Sequence, residues 1–337
     1  MLKLETERDA TQWVYAAKAL AVVSAWNAHG LFERLRKGPL AREELGMDPR
    51  ALATTLPVLE HIGLVAGDGR RLVLTEAGRR LVDAGEMPSE RNLESLRDLS
   101  RMKQVLLDGG PVKGDDGKPK ATTGGTQADN PEETRRFLEM LYRMSGGAAQ
   151  SSFDWLAPLL PKGGSVLDLG GGHRRYARVF ADAGHPTTLF DLPHVIEYAR
   201  DKHGAALEYR AGDFHQAEDF GGPFDLIFVA NVVHSESAED NARLVARAAK
   251  SLRPGGALAL KDMFLDEHGK GPENAVFFGL TMLFYTQHGS SPSMRETHQW
   301  FRAAGLDGPE VTLLDTQQLL VGRKREIVPT LTGTRRP

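Results

Sequence analysis

The chain has 337 residues, 41% of them hydrophobic and 26% charged, which is room for two domains each with its own core. Its 42 basic and 45 acidic side chains leave a formal net charge of −3, which argues against the broad basic footprint that nucleic acid or an anionic lipid surface demands. With no cysteine there is no disulfide framework, no thiolate metal site and no cysteine nucleophile, and no apolar run reaches the ~20 residues of a membrane span.

The opening stretch "MLKLETERDATQW" is acidic where a signal peptide would be basic and then apolar, so a cytoplasmic protein is expected, with a small molecule and a second copy of itself as partners. Trp13, Ala17, Leu20, Val23 and Ala28 recur at helical intervals until His29-Gly30 breaks the pattern. A short helix, a turn over Gly46 to Pro49, a second helix ending at Gly63 and a hairpin around Asp68-Gly69 follow, the order of a winged helix. The second helix, which would enter a DNA groove, presents Leu52, Leu56, Leu59 and Ile62 with only Arg50 and His61 beside them. Base readout wants Arg, Lys, Asn or Gln there, so packing and dimerisation are the preferred role.

Residues 108–130, "DGGPVKGDDGKPKATTGGTQADN", lack apolar periodicity and read as a flexible loop or linker, with a substrate lid as the alternative. Helical spacing returns with Phe137, Leu141 and Met144 on one stripe, and Met144 and Trp155 are candidates to face a pocket. From Ser165 the pattern changes. Ser165–Leu169, Thr187–Leu192, Leu207–Ala211, Asp225–Ala230 and Ala257–Lys261 are strand-like, with helical segments between most of them. Alternating strands and helices predict an α/β domain over 131–337, a Rossmann-like doubly wound sheet, behind a mainly helical winged-helix domain over 1–107.

The first strand of that sheet runs into Gly170, Gly171 and Gly172 and then into the helix "RYARVFADAG", so the glycines form the tight turn where a ligand approaches bare backbone. Asp191 closes the second strand about 20 residues later, the spacing of a carboxylate that accepts from ribose hydroxyls. A nucleoside fits better than a dinucleotide, because the third glycine of the dinucleotide fingerprint would fall on Arg175. The third strand ends in Asp213 and Phe214, placed to accept from an exocyclic amine and to pack on a purine face, and the fourth in Asn231 and His234. All four strand ends converge on one cleft. An imidazole of ordinary pKa near 6.5 suits His234 to take a hydroxyl proton near neutral pH.

With "DLGGG", "FDLPHVIEYAR", "GDF", "NVVHSESAEDNARLVARAAKSLRPGGALAL" and "MRETHQWFRAAGL" in place, nearly the whole chain resembles the class I S-adenosylmethionine-dependent methyltransferases of the small-molecule O-methyltransferase type. The resemblance implies a homodimer, a mostly parallel sheet with an antiparallel edge hairpin, and S-adenosyl-L-methionine as cofactor. It assigns Asp168, Gly170 and Gly172 to the methionine end, Asp191 and its neighbour Leu192 to the ribose, Asp213 and Phe214 to adenine with Asn231 nearby, and His234 to the general base. The run "AVFFGLTMLFYTQHG" would line an apolar acceptor pocket with Phe278, Met282, Tyr285 and His288.

The chain departs from that family's pattern at three places. Arg174 stands where most members have a glycine, "HSE" replaces an "HDW"-like sequence, and Ser291 stands where an acid often assists the base. On that pattern the catalytic dyad is incomplete. The primary expectation is O-methylation of a small aromatic or polyketide-like metabolite. Its alternatives are C- or N-methylation, metal-assisted on a keto acid through His234 and His288, a cofactor-binding protein that no longer methylates, and a ligand-sensing winged-helix regulator.

Overall fold

The computed structural model describes residues 3–67, 70–120, 130–203 and 207–326. The chain divides into two compact units, Met1–Lys103 and Gln104–Pro337. Among the described residues, no helix is long and apolar enough to cross a membrane.

The first unit opens with helix α1 (Glu7–Ala28), started by a reciprocal cap in which the Thr6 hydroxyl accepts from the Asp9 N–H and the Asp9 carboxylate accepts from the Thr6 N–H. The end of α1 buries Val23 and Trp26, and Trp26 meets Phe32 of α2 (Leu31–Lys37) at 6.3 Å between ring centroids. Strand β1 (Leu40–Ala41), a 3₁₀ turn over Arg42–Leu45, helix α3 (Pro49–His61), and strands β2 (Val65–Gly67) and β3 (Arg71–Leu74) complete the winged-helix order. The strands form an antiparallel sheet in the order β1-β3-β2. The expected hairpin tip, Asp68-Gly69, lies outside the described residues. Helices α4 (Glu76–Ala84) and α5 (Glu90–Leu99) follow, and α6 (Met102–Asp108) crosses into the second unit.

Part of the expected loop over 108–130 is folded. Val112 is fully buried; its N–H donates to the Phe284 carbonyl and its carbonyl accepts from the Lys120 N–H. Residues 121–129 lie outside the described set.

The second unit continues with α7 (Pro131–Met144), α8 (Gly146–Leu156), β4 (Val166–Leu169), α9 (Arg175–Asp182), β5 (Thr187–Asp191), α10 (Pro193–His203), β6 (Glu208–Ala211) and β7 (Phe224–Ala230). Then come α11 (Ala238–Lys250), β8 (Leu252–Asp262), α12 (Glu273–Tyr285), α13 (Met294–Ala303), β9 (Leu306–Leu314) and β10 (Gln317–Lys324). The sheet order is β6-β5-β4-β7-β8-β10-β9, parallel from β6 to β8, with β10 antiparallel to both β8 and β9. This is the doubly wound sheet with an antiparallel edge hairpin. Every residue of β4 is buried, as a central parallel strand with helices on both faces requires. One face packs Leu167, Leu169, Ile227, Val229, Leu258 and Leu260 against α11 and α13; the other packs Val166, Tyr176, Phe180, Phe228 and Ala259 against α8 and α9. Chain order reverses between β4 and β7, so their carboxyl ends border the crevice where α/β sheets take ligands.

Candidate active site

The turn after β4 is built so tightly that side chains are excluded. A Cβ on Gly171 would lie 2.4 Å from the Asp168 carboxylate and from Leu189, and Gly170 has φ 73°. Asp168 is buried beneath this turn. Its Oδ2 accepts from the Ala177 N–H at 2.9 Å in the first turn of α9, while its Oδ1 is buried without a hydrogen-bond partner among the described residues. Burial, aided by the charge of Asp191, pushes the Asp168 carboxyl up to about 7 against the Ala177 hydrogen bond.

Asp191 closes β5 facing the same turn. Its Oδ2 accepts from the Gly172 N–H at 2.8 Å and its Oδ1 from the Leu192 N–H at 2.7 Å. Burial pushes it up to about 6 despite both bonds. Leu192 packs with Leu138, Val195 and Tyr198, and Leu138 of α7 comes down on Gly172, where a Cβ would sit 3.2 Å from it. Two neighbouring carboxylates, Asp168 buried with an orphaned oxygen and Asp191 half-buried, make a site short of positive charge.

At the end of β6, Asp213 is half-buried, and its carboxylate accepts from the His215 N–H at 2.8 Å and from the Gln216 side chain at 3.1 Å. It borders a groove of about 420 Å³ lined also by Phe190, Arg210 and Gly212. Phe214 packs on the sheet core and against the His215 ring, 4.5 Å between centroids. Asn231, after β7, adopts φ 57°, is exposed, and accepts from the Gln317 amide.

His234 sits in a 3₁₀ turn (Val233–Ser235) beyond β7, with its side chain 15% exposed. Its Nδ1 lies 2.8 Å from Oδ1 of Asp262, a fully buried carboxylate at the end of β8. The backbone holds the same alignment: the His234 N–H points at Asp262 Oδ2, and its carbonyl accepts from the Ser290 N–H at 2.9 Å. Burial by itself would depress the imidazole, but the Asp262 charge and hydrogen bond, with Glu236 nearby, outweigh it and raise the His234 pKa. An acceptor at Nδ1 puts the proton there and leaves Nε2 with its lone pair. The Phe278 ring stands edge-on to the imidazole, 4.9 Å between centroids.

His234 therefore has an acid partner, and the expectation that Ser291 left it without one is corrected. Ser291 is buried and its hydroxyl donates to the Ala275 carbonyl at 2.7 Å, tying the turn to the start of α12. The partner is Asp262 at the end of β8, not a residue of the turn that the family pattern pointed to. The signal available in the sequence was an acid closing a long apolar strand, "GALALKD".

The remaining expected pocket residues are dispersed. Phe278 and the buried Met282 lie on α12 with the half-buried Tyr285. His288 is exposed in the turn beyond. Trp155 packs into the layer of Val166, Tyr176 and Phe228, and Met144 at the end of α7 is 74% exposed. Among the described residues, the group of metal-type donors drawn together is His215, Glu236 and Asp240, not His234 and His288. There Nε2 of His215 faces Glu236 at 3.2 Å while Nδ1 faces Asp240 at 3.7 Å, an imidazole between two acids with its nitrogens aimed at different partners.

This site can be compared with known proteins. Residues 120–307, more than half of the chain, match the O-methyltransferase domain family. The chain belongs to that family and is an S-adenosylmethionine-dependent methyltransferase. It is 28% identical over 331 residues to the tetracenomycin polyketide synthesis 8-O-methyl transferase TcmO of Streptomyces glaucescens, covering 87% of this chain and 90% of that one. It is 32% identical over 181 residues to the acetylserotonin O-methyltransferase of Mus musculus, covering 47% of this chain and 45% of that one. The structure of PigF with SAH superimposes with a TM-score of 0.74 at 21% identity, covering 95% of this chain and all of that one, which shows the shared fold.

The cradle of the methyltransferase fits its cofactor chemically. S-adenosylmethionine carries an ammonium and a sulfonium, and the buried Asp168 Oδ1 without a partner beside a second raised carboxylate is a setting that a cation relieves.

Proposed function

We propose that this methyltransferase O-methylates a hydroxyl of a small aromatic or polyketide-like metabolite, with His234 as general base. The observation that carries the reading is the His234–Asp262 pair at 2.8 Å. Bound S-adenosylmethionine supplies a methyl group already activated on sulfur, so transfer needs alignment and a proton acceptor more than covalent help. Asp262 fixes the imidazole tautomer and offsets the charge of the imidazolium once Nε2 has taken the hydroxyl proton. Phe278, edge-on to His234, supports an apolar wall that limits water around the base.

In this reading Asp168 holds the methionine ammonium, Asp191 the ribose hydroxyls beside Leu192, and Asp213 with Phe214 the adenine, with Gly170, Gly172 and Asn231 bordering the cofactor. The acceptor meets Phe278, Met282 and Tyr285 on α12. A polyketide-like acceptor is supported by TcmO, a polyketide O-methyltransferase by its name, whose similarity extends over nine-tenths of its length.

A cytoplasmic homodimer is the working state we propose. Trp13, Val14 and Tyr15 on α1 are 44–55% exposed, large apolar side chains around the first half of the helix that a second copy would cover, and a chain without cysteine suits a reducing compartment. Sedimentation should give a dimer at micromolar concentration, and a stable monomer would remove that part of the proposal.

The chemistry is tested by incubating the protein with S-adenosylmethionine and a panel of phenols, naphthols and hydroxylated polyaromatics. Carbon NMR of the product should show a methoxy carbon. A new methyl on carbon or nitrogen, or no transfer despite cofactor binding, rejects O-methylation.

A further inference from the structure

The glycine turn ends in a residue that the proposed function does not use. Arg174 is the N-cap of α9, with φ 59°, the left-handed backbone that glycine adopts freely and that is strained for arginine. The side chain is turned inward all the same. The residue is 3% exposed, and its guanidinium carbon lies 4.9 Å from the Tyr142 ring centroid and 5.2 Å from that of Tyr198. Arg175 also stacks on Tyr142, at 4.8 Å. Nε and Nη1 of Arg174, and Nε of Arg175, are buried without a hydrogen-bond partner among the described residues.

Aromatic rings stabilise a guanidinium's charge, but they leave Nε and Nη1 of Arg174 without oxygen acceptors. Buried donors of a charged group left unmade are costly, so the constellation calls for an anion. Its position says which one. Tyr142 is one helical turn along α7 from Leu138, and Leu138 rests on Gly172, so the arginine adjoins the cradle. The cradle's own charged groups, Asp168 and Asp191, match a cation and hydroxyls; neither matches a carboxylate. A planar, two-oxygen anion is what a guanidinium fork set against two rings recognises.

We propose that Arg174 binds the α-carboxylate at the methionine end of the cofactor, with Arg175 adding positive charge beside it. The inference rests on the reading that this cradle holds S-adenosylmethionine. It turns a departure from the family's glycine into a chain-specific cofactor contact: the backbone keeps the glycine-like conformation while the side chain supplies a counter-ion.

The test is calorimetric titration of the full chain and of Arg174→Gly with two probes, S-adenosylmethionine and decarboxylated S-adenosylmethionine, which keeps the sulfonium and an amine but lacks the carboxylate. Wild type should bind the intact cofactor about 10- to 150-fold more tightly than the decarboxylated one, the range for hydrogen bonds to charged groups. Arg174→Gly should lose that discrimination, binding the decarboxylated probe as wild type does. Glycine suits the backbone there, and circular dichroism checks that the variant is folded. Should it not fold, Arg174→Lys keeps a charge without the fork and should show reduced discrimination. Undiminished discrimination in the folded variant, or a wild type that binds both probes equally, overturns the inference alone. A wild type that binds neither overturns the cofactor reading and this inference with it.

Discussion

Two pairs of ionisable groups lie at the carboxyl edge of one sheet, each with at least one member fully removed from water, and they are solved differently. At the ends of β7 and β8, Asp262 has its counter-charge in the chain: His234, aligned by both ring and backbone, so that the imidazole pKa rises. At the end of β4 and β5, Asp168 and Asp191 have only backbone N–H partners among the described residues, and both carboxyls are pushed up, to about 7 and about 6. The first pair is complete and ready to hold a proton. The second leaves Asp168 Oδ1 without a partner among the described residues, which suits the cationic ligand of the proposed function. In the proposed function, the pair with the deficit takes the cofactor and the balanced pair supplies the base.

The largest effect that breaks this comparison is at the base. His234→Ala should lower turnover about 10²–10⁴-fold with cofactor affinity nearly intact, and by less for acceptors whose hydroxyl is already acidic; full activity in steady-state assays would remove the base from the mechanism. Asp262→Asn separates charge from position. Turnover should drop, and the pH at which kcat/KM reaches half its plateau, expected above the ordinary 6.5 of histidine, should move down once the carboxylate that raises His234 is gone.

On the cofactor side, Asp191→Ala should weaken S-adenosylmethionine binding by about 1.5–3 kcal/mol, the worth of hydrogen bonds to a charged group, without unfolding the chain; unchanged affinity in calorimetry would sink the ribose assignment. Asp168→Asn tests the deficit itself. A carboxyl raised from 3.8 to about 7 on folding stabilises the protein below its unfolded pKa, and that contribution is lost as pH rises through about 7. Without cofactor, the variant should therefore melt higher than wild type at pH 8, by ~2–4 °C for each kcal/mol recovered, and the difference should shrink toward pH 5. Its cofactor affinity should be lower than that of wild type. The smallest effect belongs to His288, which is exposed: His288→Ala and added chelator should leave activity near wild type, whereas strong loss from either would bring back a metal mechanism.

The cradle was legible because its signals are local and periodic. Three consecutive glycines between a strand pattern and a helix pattern, followed by an acid closing the next strand, follow from turn geometry and from the length of one βα unit. His234 was legible for the same reason, as a polar residue just past an apolar strand. Asp262 was not singled out, because an aspartate ending a strand is unremarkable until β7 and β8 lie parallel side by side and bring together residues 28 apart. Trp155 and Met144 were read from helical segments that do not say what packs on them; the fold half-buries one against the layer of Val166, Tyr176 and Phe228 and leaves the other exposed.

By itself, then, the sequence determined which elements form and in what order, since hydrophobic period, glycine turns and strand spacing act over a few residues to a few tens. The tertiary structure decided which charges meet. It set Asp262 against His234, put two carboxylates together with no cation beside them among the described residues, and turned Arg174 inward against Tyr142 and Tyr198, a backbone and burial state that composition gives no hint of. Electrostatic partners are chosen by distances across the sheet and by the loss of water around them, and neither exists until the strands are side by side.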